Sequence, residues 1–98
     1  MEKWTPHCKL SNVKRLITEG HVRATMSALR GAVEFGMDFD GMLKVVNALT
    51  AQDFHKSMTT YSDHRIWQDV YRPVTAFGQC YLKLTVIDDV LIVSFKEL

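Results

Sequence analysis

The sequence predicts an α+β domain with three helices in the N-terminal half, packed on a mainly antiparallel sheet built from the C-terminal half. Three observations predict it. Apolar residues recur at helical spacing up to about residue 50. From Phe54 onward Thr, Tyr, Trp, Val and Ile dominate and alternate with polar residues. The breaks in this second half are short and turn-like, as hairpins require. A chain of 98 residues fills one core and leaves no length for a second, so residues 1–98 read as a single domain.

Ser11 suits the N-cap of a first helix whose Val13, Leu16 and Ile17 fall on one face, and Gly20 can end it. Ser27 can cap a second helix carrying Leu29, Ala32 and Val33, stopped at Gly36. Asp40 can cap a third, where Met42, Leu43, Val45, Val46 and Leu49 form a broad apolar stripe. Strands are expected over 54–61, 66–72, 79–87 and 90–97. Ser62-Asp63-His64, the stretch from Pro73 to Ala76, and Asp88-Asp89 separate them.

Composition narrows the function. Twelve Lys and Arg against eleven Asp and Glu give a net charge of +1, which does not fit a protein that coats nucleic acid. If RNA is the ligand, its positive partners must be local. Cys8 and Cys80 form no CxxC pattern and read as reduced thiols. The start, Met1 to Pro6, has no apolar secretion core, and no stretch approaches the ~18 apolar residues of a membrane span. The expectation is a soluble, cytoplasmic protein. His7, His21, His55 and His64 are scattered, and with the two cysteines they show no zinc-ligand spacing. Asp38-Phe39-Asp40-Gly41 starts like a calcium loop but lacks the remaining ligands. Neither a Gly-rich phosphate loop nor a nucleophile elbow is present. No metal and no cofactor are expected.

The last hairpin can be counted. A two-residue loop at Asp88-Asp89 sets Ile87 opposite Val90, then Val86 opposite Leu91, Leu84 opposite Val93 and Leu82 opposite Phe95. That face is apolar and belongs to the core. The other face sets Lys83 opposite Ser94 and Tyr81 opposite Lys96, with β-carbons about 4.5–5.5 Å apart. If the connection around Pro73 is even in length and that around Asp63 odd, Gln68 and Lys56 join this face. A solvated sheet face would look similar, so spacing alone does not make it a site.

Longer runs carry a resemblance. Lys56-Ser57-Met58-Thr59-Thr60-Tyr61-Ser62-Asp63-His64, Trp67-Gln68-Asp69-Val70-Tyr71-Arg72-Pro73, Phe39-Asp40-Gly41-Met42, Gly78-Gln79, Tyr81-Leu82-Lys83 and Asp89-Val90-Leu91-Ile92-Val93-Ser94-Phe95-Lys96-Glu97 resemble the MqsR toxins. These are ribosome-independent mRNA interferases related in fold to the RelE and YoeB ribonuclease toxins. The resemblance spans essentially the whole chain, more loosely over the first 35 residues. It implies a RelE-like toxin fold and an endoribonuclease of a type II toxin–antitoxin pair. It further implies cleavage of free mRNA at GCU and an MqsA-type antitoxin partner with zinc-binding and helix-turn-helix domains. It also implies that Lys56, Gln68, Tyr81 and Lys96 carry out cleavage, the same four residues that strand counting brings to one face.

Such a face can cut RNA without a metal, because the ribose 2′-hydroxyl is a built-in nucleophile. Lys56 and Lys96 are natural partners for phosphate charge, and Lys56 could instead be the general base. Tyr81 can donate a proton or a hydrogen bond, and Gln68 can orient phosphate or ribose. Arg65, Arg72 and Lys83 are candidates for flanking phosphates. Tyr61, Trp67 or Tyr71 could stack on unpaired bases, with core packing favoured for Trp67. The alternative is a non-catalytic RNA- or protein-binding module that regulates transcription through its antitoxin.

Overall fold

Local signals start the helices in the computed structural model, which describes residues 1–98, and packing decides where they lie. Helix α1 (Leu10–Thr18) follows Lys9 with no side-chain cap, so Ser11 lies inside its first turn. Thr25 caps α2 (Met26–Glu34) by accepting the Ala28 N–H, and Asp38 caps α3 (Phe39–Asn47) by accepting the Gly41 N–H. Both caps lie two residues ahead of Ser27 and Asp40, the residues expected from sequence. For α2 the reason is tertiary: Thr25 donates its N–H to the Ile92 carbonyl and its hydroxyl to that of Val93, so the sheet fixes it before the helix begins. Gly20 and Gly36 do follow their helices, at φ +83° and +91°, a backbone conformation that strains any other residue type.

The strands are β1 (Glu2–Lys3), β2 (Val22–Ala24), β3 (Phe54–Thr59), β4 (Trp67–Tyr71), β5 (Val74–Thr75), β6 (Gly78–Val86) and β7 (Val90–Glu97). Their order across the sheet is β1-β3-β4-β6-β7-β2, with β5 folded back on β6. Only β2 runs parallel to its neighbour, β7. The fold is therefore α+β with a mainly antiparallel sheet, as the periodicity predicted. β1, β2 and β5 were not anticipated, because two or three residues are too few to display a period. Long-range partners hold them: Arg23 on β2, for example, makes a forked pair with Asp89 at 2.7 and 3.2 Å.

One hydrophobic cluster lies between the helices and one face of the sheet. Val13, Ile17, Ala28, Ala32, Met42 and Val46 meet Tyr71, Leu82, Leu84, Val90, Ile92 and Phe95 there. Val33 is not part of it and stands exposed, because α2 turns its small residues to the sheet instead. Gly31 lies so close to β7 that a β-carbon built on it would overlap the Phe95 carbonyl oxygen. With every helix on one side, the other face of the sheet is left for something else.

The last hairpin corrects the count at its tip. The loop is Ile87-Asp88-Asp89, three residues, so Val86 pairs with Val90 and Leu84 with Ile92. An irregularity next to Lys83 and Leu84 absorbs the extra residue on β7, where Val93 and Ser94 are both only half-buried. Beyond it the expected pairs return: Lys83 with Ser94, Leu82 with Phe95 and Tyr81 with Lys96. The expected partners Leu84–Val93, Val86–Leu91 and Ile87–Val90 do not form. One extra loop residue and one bulge cancel, so the far end of the hairpin keeps its register.

Tyr71 lies in the core, 1% exposed, so it cannot stack on a base. Its hydroxyl has no hydrogen-bond partner, and burial with the nearby Asp69 charge pushes its pKa well above the ordinary phenol value. An unpaired buried hydroxyl costs about 1–3 kcal/mol in proteins. Tyr71→Phe is therefore expected to raise stability, by about 1–2 kcal/mol in urea unfolding. A loss of stability would show that the hydroxyl is satisfied after all. Burial likewise pushes the Cys80 thiol up to about 11, and burial next to Asp69 raises Cys8, so neither is an activated nucleophile.

Candidate active site

Ladder partners share a face, so the register lays out the surface turned away from the helices. Its middle row runs Lys56, Val70, Lys83, Ser94 across β3, β4, β6 and β7. Met58 and Gln68 pair one step to one side, and Tyr81 and Lys96 one step to the other. Lys56, Gln68, Tyr81 and Lys96 thus lie on one face, and both assumed loop parities hold. They are not in mutual contact. Three strand spacings of about 4.8 Å put the backbones of Lys56 and Lys96 roughly 14 Å apart across the sheet. Only Tyr81 and Lys96 are direct neighbours, with the Lys96 ammonium 5.3 Å from the Tyr81 ring centre.

Lys83 occupies the middle. Val70 and Ser94 flank it across the ladder, and Tyr81 lies two residues along its own strand, on the same face. Val70 is fully buried although no helix covers it. The aliphatic stems of Lys56 and Lys83, its direct ladder partners, are placed to shield it while their charged ends reach water. Burial first, and then the Lys96 ammonium, push Lys83 below the ordinary lysine value. Lys56 has a different situation: its ammonium donates to the Glu2 carboxylate at 2.6 Å. That hydrogen bond, with the lysine charge behind it, holds the Glu2 carboxyl below its ordinary value.

Gln68 faces a cleft of about 460 Å³ that also reaches Lys83, Met58 and the loop from Thr60 to His64. Its side-chain amide makes no hydrogen bond within the protein; only its backbone carbonyl accepts one, from the Ser57 hydroxyl. A half-covered sheet face with two free ammonium groups, a phenol and an uncommitted amide suits an extended polyanion.

Comparison with known sequences agrees. Residues 5–97 match the sequence model of the family described as "Motility quorum-sensing regulator, toxin of MqsA". The chain belongs to the MqsR toxin family. It is 66% identical over 97 residues to the mRNA interferase toxin MqsR of Escherichia coli (strain K12), covering 99% of each chain.

In this MqsR-family chain the outlying candidates fall in different places. Arg72 is exposed where β4 ends, at the Tyr81 end of the face. Arg65 lies in the β3–β4 loop, off the face, where its guanidinium and N–H are taken up by Asp63 at 2.9–3.2 Å. This pair is open to solvent and therefore weak. Tyr61 is fully exposed in the same loop. Trp67 is on the helix side of the sheet, stacked on His7 at 5.5 Å and covered by the Lys3 ammonium at 4.2 Å, and is not available to RNA.

Three residues important to the site escaped the sequence reading. Glu2 reaches Lys56 from 54 positions away through the β1–β3 pairing, which no local pattern signals. Asp69, buried on the helix side, accepts the N–H groups of His7 and Cys8 at 3.0 Å and so anchors the N-terminal segment that carries Glu2. Arg30 on α2, with Glu34 beside it, lines a smaller groove of about 200 Å³ that reaches Ser94 and Lys96. No group of three or more His, Cys, Asp or Glu residues is placed to hold a metal ion. No helix is long and apolar enough to cross a membrane.

Proposed function

We propose that this chain, an endoribonuclease by its family, cuts single-stranded mRNA on the open sheet face by a metal-independent attack of the ribose 2′-hydroxyl. Its membership of the MqsR toxins supports the reading. The observation that carries the mechanism is Lys83, half-buried at the centre of the face with Tyr81 and Lys96 beside it and Lys56 across β4. With its pKa lowered, Lys83 is the best-placed group to accept the 2′-hydroxyl proton, a role for which the sequence offered Lys56 as one candidate without deciding between the lysines. The 2′-oxygen then bonds to phosphorus and the bond from phosphorus to the 5′-oxygen breaks. The products are a 2′,3′-cyclic phosphate and a 5′-hydroxyl.

Lys96 and Lys56 approach the phosphate from opposite sides and stabilise the charge that builds on its oxygens. Tyr81, beneath Lys96, donates the proton that turns the leaving 5′-oxygen into a hydroxyl. Gln68 orients the neighbouring ribose or phosphate. Arg65, Arg72 and Tyr61 hold the strand on either side. The biological setting belongs to the same proposal: a cytoplasmic toxin, independent of the ribosome, cutting at GCU and neutralised by an MqsA-type antitoxin. The family description as toxin of MqsA supports the partner.

The test is cleavage of a GCU-containing RNA oligonucleotide in excess EDTA, with the product ends mapped by mass spectrometry. The expected ends are a cyclic phosphate and a 5′-hydroxyl. Lys56→Ala and Tyr81→Phe should each slow the reaction by about 10²–10⁴. Cleavage that needs added Mg²⁺ would overturn the metal-independent mechanism. RNA left intact by demonstrably folded protein, with or without Mg²⁺, would favour a binding module over an enzyme.

A further inference from the structure

We propose that the cleft beside the active face is a pocket for one unpaired nucleobase of the RNA, and that Tyr61 and His64 on its rim set which base is accepted. This rests on the RNA-cleaving function proposed above. The sequence offered several aromatic residues for stacking and no means of choosing among them. The structure removes Tyr71 to the core and Trp67 to the far side of the sheet, leaving Tyr61.

The cleft has the size and chemistry a base needs. At about 460 Å³ it falls within the range of small-molecule sites, about 300–1,000 Å³. Gln68 lines it with an amide that offers two donors and an acceptor and has no partner in the protein. Met58, its ladder partner, supplies a polarizable thioether wall. Tyr61 and His64 complete the rim with flat rings. Hydrogen bonds to a base edge together with stacking on aromatic rings are how proteins read unpaired RNA.

The rim is held in shape by other residues. The Thr60 hydroxyl donates to the Asp63 carbonyl at 2.7 Å and accepts the Asp63 N–H at 3.0 Å. The Thr60 N–H closes the loop on the Ile66 carbonyl at 2.9 Å, and the Asp63 carboxylate takes Arg65. Tyr61 and His64 take no part in these bonds, so a loop fixed by its neighbours presents two rings that the fold does not use. Lys83 joins the two halves of the surface, because it both borders the cleft and centres the active face. A base seated here therefore belongs to a nucleotide next to the scissile phosphate, and its identity fixes where the strand is cut.

Two measurements on the full chain test this. The first is affinity for short oligonucleotides with every 2′-hydroxyl replaced by fluorine, which cannot be cleaved, each differing by one base. The second is the cleavage-site profile on a mixed-sequence RNA. The wild-type protein should rank the bases in both, and Tyr61→Ala with His64→Ala should flatten the ranking at one position by about tenfold. Ser62→Ala, in the same exposed loop, should leave the ranking as it is. An unchanged ranking in the double variant overturns the pocket, and so does a wild-type protein that binds all bases equally. A wild-type protein that ranks bases in binding and cuts none refutes the ribonuclease mechanism while upholding the pocket.

Discussion

Lys83→Arg is expected to lower kcat/KM for RNA cleavage by about 10²–10⁴ while leaving the fold and most of the RNA affinity in place. Arginine keeps the positive charge and the reach, but its guanidinium stays protonated and cannot take a proton from the ribose. The pH profile separates this role from simple charge neutralisation. Burial and the Lys96 ammonium lower the Lys83 pKa, so at any given pH below it more of the free amine is present than for an ordinary lysine. Below that depressed pKa the amine fraction grows tenfold per unit, so the wild-type rate should rise with unit slope and reach a plateau above it. The arginine variant should lose this slope. Lys96→Ala gives the complementary result: without its neighbour's charge, Lys83 should titrate higher and the plateau should move to higher pH. If Lys83→Arg retains full activity and the wild-type slope, Lys83 serves only as a phosphate contact and the proton goes elsewhere.

Gly31→Ala should cost about 3 kcal/mol or more, out of the roughly 5–15 kcal/mol typical of a domain. The sign is diagnostic. In the middle of an exposed helix the same change stabilises by about 1 kcal/mol, because alanine is the better helix former. Here the added methyl would meet the Phe95 carbonyl, which is backbone and cannot rotate away, so α2 or β7 must move. The β-carbon of Lys96 is 3.6 Å from the same point, so a helix pushed off the sheet also disturbs the active face. Urea unfolding should show the lower midpoint, and RNA cleavage should fall by more than the unfolded fraction explains. A variant as stable as the wild type would mean that α2 does not approach β7 this closely.

The fold class was legible because two periods, 3.6 and 2, occupy separate halves of the chain and each is long enough to be counted. Elements that depend on distant partners were not legible. β2 is three residues long and exists because β7 offers an edge; β1 is two residues long and exists because β3 does. The same division holds for the site. Tyr81 and Lys96 could be paired from the hairpin alone, since the register at their end survives the bulge near Lys83. Placing Gln68 and Lys56 needed two loop parities that sequence only made plausible. The central position of Lys83, the Glu2 partner of Lys56 and the cleft under Tyr61 all follow from strand order, which periodicity does not encode. The cap errors at Ser27 and Asp40 have a similar origin: two suitable residues lay two positions apart, and for α2 the sheet chose between them.

The Glu2–Lys56 pair bears on how the face meets its substrate. A lone lysine on a sheet surface samples many rotamers, and a ligand that captures it must quench that freedom. Here a carboxylate from the first strand already holds the ammonium at one point. On the proposed mechanism an arriving RNA would exchange one anionic oxygen for another, at a lysine whose side chain is already partly ordered. On that mechanism the Glu2 carboxylate would be a removable stand-in for the substrate, and a neutral residue at position 2 should alter RNA capture without touching any group that reacts.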